Sequence, residues 1–149
     1  MDRYNKFTVL INRIVRSIHR IKHEAMAKYG LASAHVSCLY YLYKEGKALT
    51  ARELCDKCEE DKAAVSRAID LLTREGYVTC GGGSAKKYKS PITLTEKGTA
   101  TGRDIADKID DVLARVSECV REDDRVILYD SLEKISDELQ RVCEIYGGE

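Results

Sequence analysis

The sequence predicts a mainly α-helical fold with one small β-hairpin and long helices at both ends, and three observations predict it. Apolar residues recur at spacings of three and four along most of the chain, which is the helical period. That period breaks over residues 77–94, where two short apolar runs flank Gly81-Gly82-Gly83-Ser84. Only one proline occurs in 149 residues, so little interrupts the helices.

The first helix is expected from about Asp2 to Tyr29. Phe7, Leu10, Ile11, Ile14, Ile18, Ile21 and Ala25 make one stripe, and Gly30 stops it. A helix that long exceeds what a small core needs, so part of its stripe is expected to face another chain. Ser33 is the expected cap of a second helix reaching about Lys44, with Val36, Leu39, Tyr40 and Tyr43 in period and Gly46 at its end. Thr50-Ala51-Arg52-Glu53 reads as a capping box that opens a third helix closing near Cys58. Asp61 then caps a fourth, which runs to Glu75 and ends at Gly76. Only Glu59-Glu60 separates the third from the fourth, the spacing of a helix-turn-helix.

After Gly76, residues 77–80 and 90–94 read as two strands around the glycine tip, with Pro91 suited to an edge strand. A hairpin directly after a helix-turn-helix is a wing. Thr95, Lys97 and Gly98 open a long fifth helix to about Arg121, with Ile105, Ile109, Val112, Leu113 and Val116 in stripe. Asp123 is the expected cap of a last helix carrying Val126, Ile127, Leu128, Leu132, Ile135, Leu139, Val142 and Ile145. Three parts follow: residues 1–30 contribute to dimerisation, 31–98 form a winged helix-turn-helix, and 99–149 form C-terminal dimerisation helices.

Composition bounds the function. The chain is 44% hydrophobic, too apolar for disorder, and no apolar run approaches the ~20 residues that span a bilayer. The start MDRYNKF has no secretory-signal pattern, so a cytoplasmic protein with no membrane partner is expected. Cys38, Cys55, Cys58, Cys80, Cys119 and Cys143 sit mostly inside helical patterns and read as thiols kept reduced. Formal net charge is zero, yet the charges are unevenly placed. Residues 1–49 hold nine Lys/Arg against three Asp/Glu, and residues 96–149 hold eight against fifteen. The stretch 62–90 holds six basic residues against Asp70 and Glu75, and local field is what a phosphate feels.

The fourth helix carries the functional signal. At 100° per residue Val65, Ala68, Ile69 and Leu72 fall on one arc, which must face the core. Ala63, Arg67, Asp70 and Arg74 lie opposite, flanked by Ala64 and Ser66. Small residues let a backbone approach the floor of a major groove, and Arg forks to guanine or clamps a phosphate. Lys62 in the first turn adds positive charge to a helix N-terminus that itself favours phosphate. In the wing, Lys86, Lys87 and Lys89 follow the glycine tip, and alternation puts Lys87 and Lys89 on one face with Tyr88 on the other. Each feature by itself is an ordinary solvated surface. Their order along the chain points to duplex DNA.

These residues carry a resemblance. Leu31 to Gly98, including LTARELCDKCEEDKAAVSRAIDLLTREGYV and SPITLTEKG, resembles the MarR family of winged helix-turn-helix regulators, and the flanking helices extend the likeness over essentially the whole chain. Val65-Ser66-Arg67 and Leu94-Thr95-Glu96-Lys97-Gly98 are its most specific parts. The resemblance implies a homodimer interleaving the first helix with the last two, a pseudo-palindromic operator, and repression relieved by a small ligand or oxidant. It also implies that Ser66 and Arg67 contact DNA. Two positions depart from the pattern: Lys86 and Tyr88 replace an Asp-x-Arg pair in the wing, and Glu59 stands where the turn usually has Gly.

Candidate sensing residues are fewer. Cys55 and Cys58 lie one helical turn apart and read first as small core hydrophobes, with a thiol switch as the sharper alternative. Cys80, beside the tip, is the more reachable thiol. His19 and His23 with Glu24 or His35 offer a weak metal pattern. Tyr40 and Tyr43, beside Tyr41, are candidates to line a crevice for an aromatic effector, against a plain core role. No catalytic constellation appears, so an enzyme is the poorest class, and no cofactor is expected. The rival class is a winged-helix module that docks another protein.

Overall fold

The computed structural model describes residues 3–58, 60–81 and 89–147. Six helices and one hairpin occur in the expected order: α1 (Arg3–Met26), α2 (Ser33–Glu45), α3 (Ala51–Cys58), α4 (Lys62–Arg74), β1 (Val78–Cys80), β2 (Ile92–Leu94), α5 (Glu96–Glu118) and α6 (Glu122–Gly147). The chain divides into two compact units, Met1–Ile109 and Asp110–Glu149, with the division inside α5.

The core of the first unit is built from one face of each short helix. Val36, Leu39 and Leu42 of α2, Leu54 of α3, Val65, Ala68, Ile69 and Leu72 of α4, Val78, Ile92 and Ile105 are all buried. Leu39, Leu54, Val65 and Leu72 are fully inaccessible, at 0% exposure each, which fixes α4 by its inner face. Burying each such side chain contributes roughly 1.5–3 kcal/mol.

Local chemistry sets the boundaries. Asp61 caps α4, its Oδ1 accepting the Ala64 N–H at 2.7 Å. The Thr50 box is closed: the Thr50 N–H donates to Glu53 Oε2 at 2.7 Å and the Glu53 N–H to Thr50 Oγ1 at 3.3 Å. At the far end of α4, Gly76 adopts a left-handed φ of 77°, the Tyr77 N–H reaches Leu72 O at 2.8 Å, and the Gly76 N–H reaches Thr73 O at 3.1 Å. This is a Schellman end, and it claims Tyr77 for the helix cap, so β1 starts one residue later than expected.

Three further boundaries differ from the sequence expectation. Ser33 is the first residue of α2 and not its cap; the turn is closed by His35, whose Nδ1 accepts the Ala32 N–H at 2.9 Å. α1 ends at Met26 and tightens into a 3-10 turn, Ala27–Tyr29, before Gly30 at φ 67°. α6 begins at Glu122, so Asp123 lies in its first turn instead of capping it. There Arg125 holds the end of α5, donating from Nη2 to Ser117 O at 2.9 Å and to Val120 O at 3.3 Å.

The hairpin is antiparallel, pairing Val78 with Leu94, Thr79 with Thr93 and Cys80 with Ile92. β2 is not a free edge: Leu49 bridges its other side, with Ile92 N–H to Leu49 O at 2.8 Å and Leu49 N–H to Ile92 O at 3.1 Å. Pro91 sits just before the strand, where its missing donor costs nothing and its carbonyl accepts the Gly81 N–H at 2.8 Å.

The exit from β2 is clamped onto the end of α4. Thr95 Oγ1 donates to Gly76 O at 2.7 Å and, as the α5 cap, accepts the Gly98 N–H at 3.1 Å. Lys97 Nζ donates to Glu75 O at 2.7 Å and stands 4.1 Å above the Tyr77 ring. Gly98 passes so close to Tyr77 that a Cβ there would fall 1.9 Å from the Tyr77 carbonyl oxygen. Gly98→Ala is therefore expected to destabilise the first unit by about 3 kcal/mol, read as a fall in urea midpoint; a midpoint like that of the parent would remove the close approach from this account.

A second tie joins the end of α1 to α5. Asp104 Oδ2 accepts from Tyr29 Oη at 3.0 Å and from Lys108 Nζ at 3.0 Å, and pairs with Lys28 Nζ at 3.1 Å. The Lys108 hydrogen bond, followed by those from Lys28 and Tyr29, holds this carboxyl at about 2. Because the folded value is depressed, the stabilisation is complete above the ordinary carboxylate pKa of ~3.9 and is lost as pH falls toward 2. Allowing for solvent screening of a partly exposed group, Asp104→Asn should cost about 1 kcal/mol at neutral pH and nothing at the acid end. Melting curves across that range test it; a pH-independent difference counts against the tie.

Candidate nucleic-acid interface

α4 turns its second face outward. Its inner arc is consumed by the core, so Lys62, Ala63, Arg67, Asp70 and Arg74 are exposed, with Ala64 and Ser66 half-buried at the margins. Along this face the N-terminal half is small and the C-terminal half carries the guanidinium groups. Among the described residues Arg67 has no ion-pair partner. Arg74 meets Glu75 only loosely, at 3.7 Å, with both side chains more than half exposed, and such a pair contributes little. Both cations are therefore available to an outside anion. The helix N-terminus is not: the Asp61 carboxylate already takes the Ala64 N–H, so Lys62 must carry any attraction for phosphate at that end.

Of the wing lysines, Lys89 is described and exposed. Lys86, Lys87 and Tyr88 lie outside the described residues, as does Glu59 in the turn. The stem of the wing is nevertheless fixed by the β1–β2 pairing, a hydrogen bond of 2.9 Å between the Thr79 and Thr93 hydroxyls, and the Thr95–Lys97 clamp. Sequence reading missed Lys97 as the staple between wing and α4. A lysine one residue before a glycine at a helix start has no distinctive signal without knowing which carbonyl it will face.

The candidate sensing residues fall in different places. Tyr43 packs its Cβ against Gly102 of α5, where an added Cβ would meet it at 2.8 Å. Tyr40 stacks edge-on to Tyr41 at 5.2 Å, with Lys44 Nζ 5.9 Å from its ring. Both tyrosines are half-buried, and Tyr40 packs against the core. His19 Nδ1 lies 3.5 Å from Ser33 Oγ, and His35 Nδ1 is engaged in its cap. Among the described residues no group of three His, Cys, Asp or Glu is gathered to hold a metal ion. Cys80 is exposed, 3.6 Å from Thr73 Oγ1, while Cys55 and Cys58 are half-buried and Cys38 is buried. No helix among the described residues is long and apolar enough to cross a membrane.

A helix-turn-helix with an outward cationic second helix and a paired wing defines a winged helix-turn-helix protein. More narrowly, residues 29–81 match the model of the MarR family. Solved structures agree in fold over far more than that segment. A MarR family regulator from Neisseria meningitidis superposes with a TM-score of 0.81 over 100% of both chains at 19% identity. Staphylococcus aureus MarR in complex with salicylate and kanamycin gives 0.78 over 93% of each chain at 15% identity. The S. aureus MepR–DNA complex gives 0.76 over 89% of this chain and 97% of the other, at 16% identity. No curated protein matches the chain in sequence.

Proposed function

We propose that this chain is a cytoplasmic, homodimeric transcription regulator that binds a pseudo-palindromic duplex operator and releases it on binding a small aromatic effector, which makes it a repressor and not an enzyme. The single observation that carries the reading is the division of α4: Val65, Ala68, Ile69 and Leu72 are buried, which leaves Ala63, Arg67 and Arg74 facing out. In this reading Ala63, Ala64 and Ser66 allow the helix to sit deep in the major groove. Arg67 reads a base edge, while Lys62, Arg74 and the wing lysines 86, 87 and 89 neutralise phosphates. The fold shared with a regulator solved on DNA supports this, and one solved with salicylate supports an aromatic effector near Tyr40 and Tyr43. A module that only docks proteins is the rival, and it should show no preference among duplexes.

Selection from a random duplex pool should enrich two half-sites spaced by about one helical turn, ~34 Å, as a two-fold pair of recognition helices requires. On the enriched duplex, Arg67→Ala is expected to weaken binding by ~1–3 kcal/mol and to relax the preference at one base position per half-site. Equal affinities for mutant and parent in a titration would remove Arg67 from the reading.

The dimer rests on two apolar faces. In α1, Leu10, Ile14, Val15, Ile18 and Ile21 are all 40–53% exposed. In α6 no residue is buried, and Leu132, Ile135 and Leu139 stand at 37–55% exposure. Contiguous apolar surface of this extent is what a partner chain covers. Leu132→Glu is expected to shift the chain from dimer to monomer in sedimentation and to lower operator affinity with it, without changing the melting of the first unit. A variant that sediments like the parent would count against α6 as the interface.

A further inference from the structure

The start of α2 is closed by an imidazole. Ala32 stands in the cap position and has no side-chain acceptor to offer. His35, three residues on, supplies one: its Nδ1 accepts the Ala32 N–H at 2.9 Å. That bond needs a bare Nδ1, so the ring is neutral with its proton on Nε2. The first turn of α2 holds no acidic residue, so no carboxylate of its own stands at this positive helix end. Two contacts reach the same turn from α1. His19 Nδ1 lies 3.5 Å from Ser33 Oγ, and Lys22 Nζ donates to the buried Ser37 Oγ at 3.3 Å.

Protonation undoes this arrangement in two ways. A proton on Nδ1 turns the acceptor into a donor facing the Ala32 N–H, and it sets a cation at the helix end that disfavours one. The charges on the surrounding elements do not relieve it. On α1 they are His19 and Lys22, with His23 one turn beyond His19, while Glu24 is taken by Arg20 at 2.8 Å. Lys28 after α1 and Lys108 on α5 share Asp104, at 3.1 and 3.0 Å. α3 places Lys57 on Glu45 at the other end of α2, and α4 meets the core with its apolar arc. Burial of the half-buried ring lowers its pKa from the ordinary ~6.5. Because the folded value is depressed, the stabilisation is complete above the ordinary value and is lost as pH falls through the folded one. The chain has three histidines, and all of them lie on α1 and α2, the two helices that meet here. Groups that change charge between pH ~5 and ~8 are thus gathered at one joint.

The joint matters because of what it connects. α2 begins to bury itself one residue after His35: Val36, Ser37, Cys38 and Leu39 are all buried. Val36 and Leu39 share one core with Val65, Ile69 and Leu72, the inner face of α4. α1 carries the apolar face assigned above to a partner chain, and α4 the outer face assigned to DNA, so the start of α2 lies between the two. We propose that His35 is an acid-sensitive latch at this joint: taking up a proton opens the first turn of α2, loosens the seat of α4 and lowers affinity for the operator. The effect on DNA rests on the function proposed above; the release of the turn does not.

The full-length protein compared at about pH 7.5 and about pH 5 provides the test. Long-range proton–nitrogen correlation of the imidazoles should show His35 with a bare Nδ1 at the upper value and both nitrogens protonated at the lower. Affinity for the enriched duplex should fall about fivefold on acidification, the low end of coupling between sites, and recover when the pH is restored. His35→Gln keeps an acceptor at that position of the turn without a titrating group, and should hold its affinity at both values. His35→Ala lacks the acceptor and should bind like the acidified parent at either value; should it fail to fold, His35→Gln decides. His19→Gln should respond to acid as the parent does. A His35 ring with its proton on Nδ1 at the upper pH overturns the latch. An acid response that persists in His35→Gln overturns it too, as does affinity that rises on acidification, the effect of added positive charge alone. If no duplex is bound at either pH, the regulator reading fails and melting decides the latch. The parent should then lose more thermal stability on acidification than His35→Gln, and equal losses overturn it.

Discussion

The approach of α5 to the carbonyl of Tyr77 fixes how the end of α4, the hairpin and the start of α5 are joined. Gly98 lies where no side chain fits, and that contact brings Thr95 and Lys97 within hydrogen-bond range of the Gly76, Tyr77 and Glu75 carbonyls. These carbonyls lie just past the end of α4, outside its own hydrogen-bond ladder. One segment therefore terminates α4, launches α5 and fixes the exit of the wing at once. Were it looser, the outer face of α4 and the stem of the hairpin would each keep their own structure and lose their fixed relation. A surface that must meet a rigid partner at two places needs that relation more than it needs any single cation.

The electrostatics follow the same division between inner and outer faces. A chain of zero formal charge offers no overall attraction to a polyanion, so any such attraction must be local. The cations that could serve are those not spent internally. Lys28 and Lys108 are committed to Asp104, Lys57 to Glu45 at 2.7 Å, and Lys97 to the clamp. Arg67 is not committed in this way, and Arg74 only loosely. Residue type alone would rank all of these equally; their partners separate them.

Much of this was legible in the sequence, and the reasons for the rest are specific. The Thr50 capping box, the Asp61 cap, the Gly76 stop and the inner arc of α4 depend on residues close to one another in sequence, so spacing reveals them. The outward placement of Ala63, Arg67 and Arg74 follows from that arc. What escaped reading depends on partners far along the chain: Lys97 on Glu75, Asp104 on Tyr29, and Ile92 on Leu49. Cys55 and Cys58 both pack partly buried against the core, in keeping with their reading as small hydrophobes. His35 displaced Ser33 as the closer of the α2 turn for a different reason: either side chain can satisfy an N-terminal N–H, and sequence ranks the commoner one first.

The two long helical segments show the limit of a single-chain view. α6 is as regular as any helix in the core, yet it buries none of its residues, and in proteins most helical stability comes from packing an apolar face rather than from propensity. Its intrahelical pairs, Asp130 with Lys134 and Glu138 with Arg141, are exposed and supply a few tenths of a kcal/mol each. Such pairs do not offset the cost of ordering residues 122–147, which at ~1 kcal/mol or more per residue is an order of magnitude larger. The missing stabilisation has to come from apolar burial, and the apolar residues for it are present at Leu128, Leu132, Ile135 and Leu139, on one side of the helix. A helix so composed carries an apolar stripe that its own chain leaves exposed.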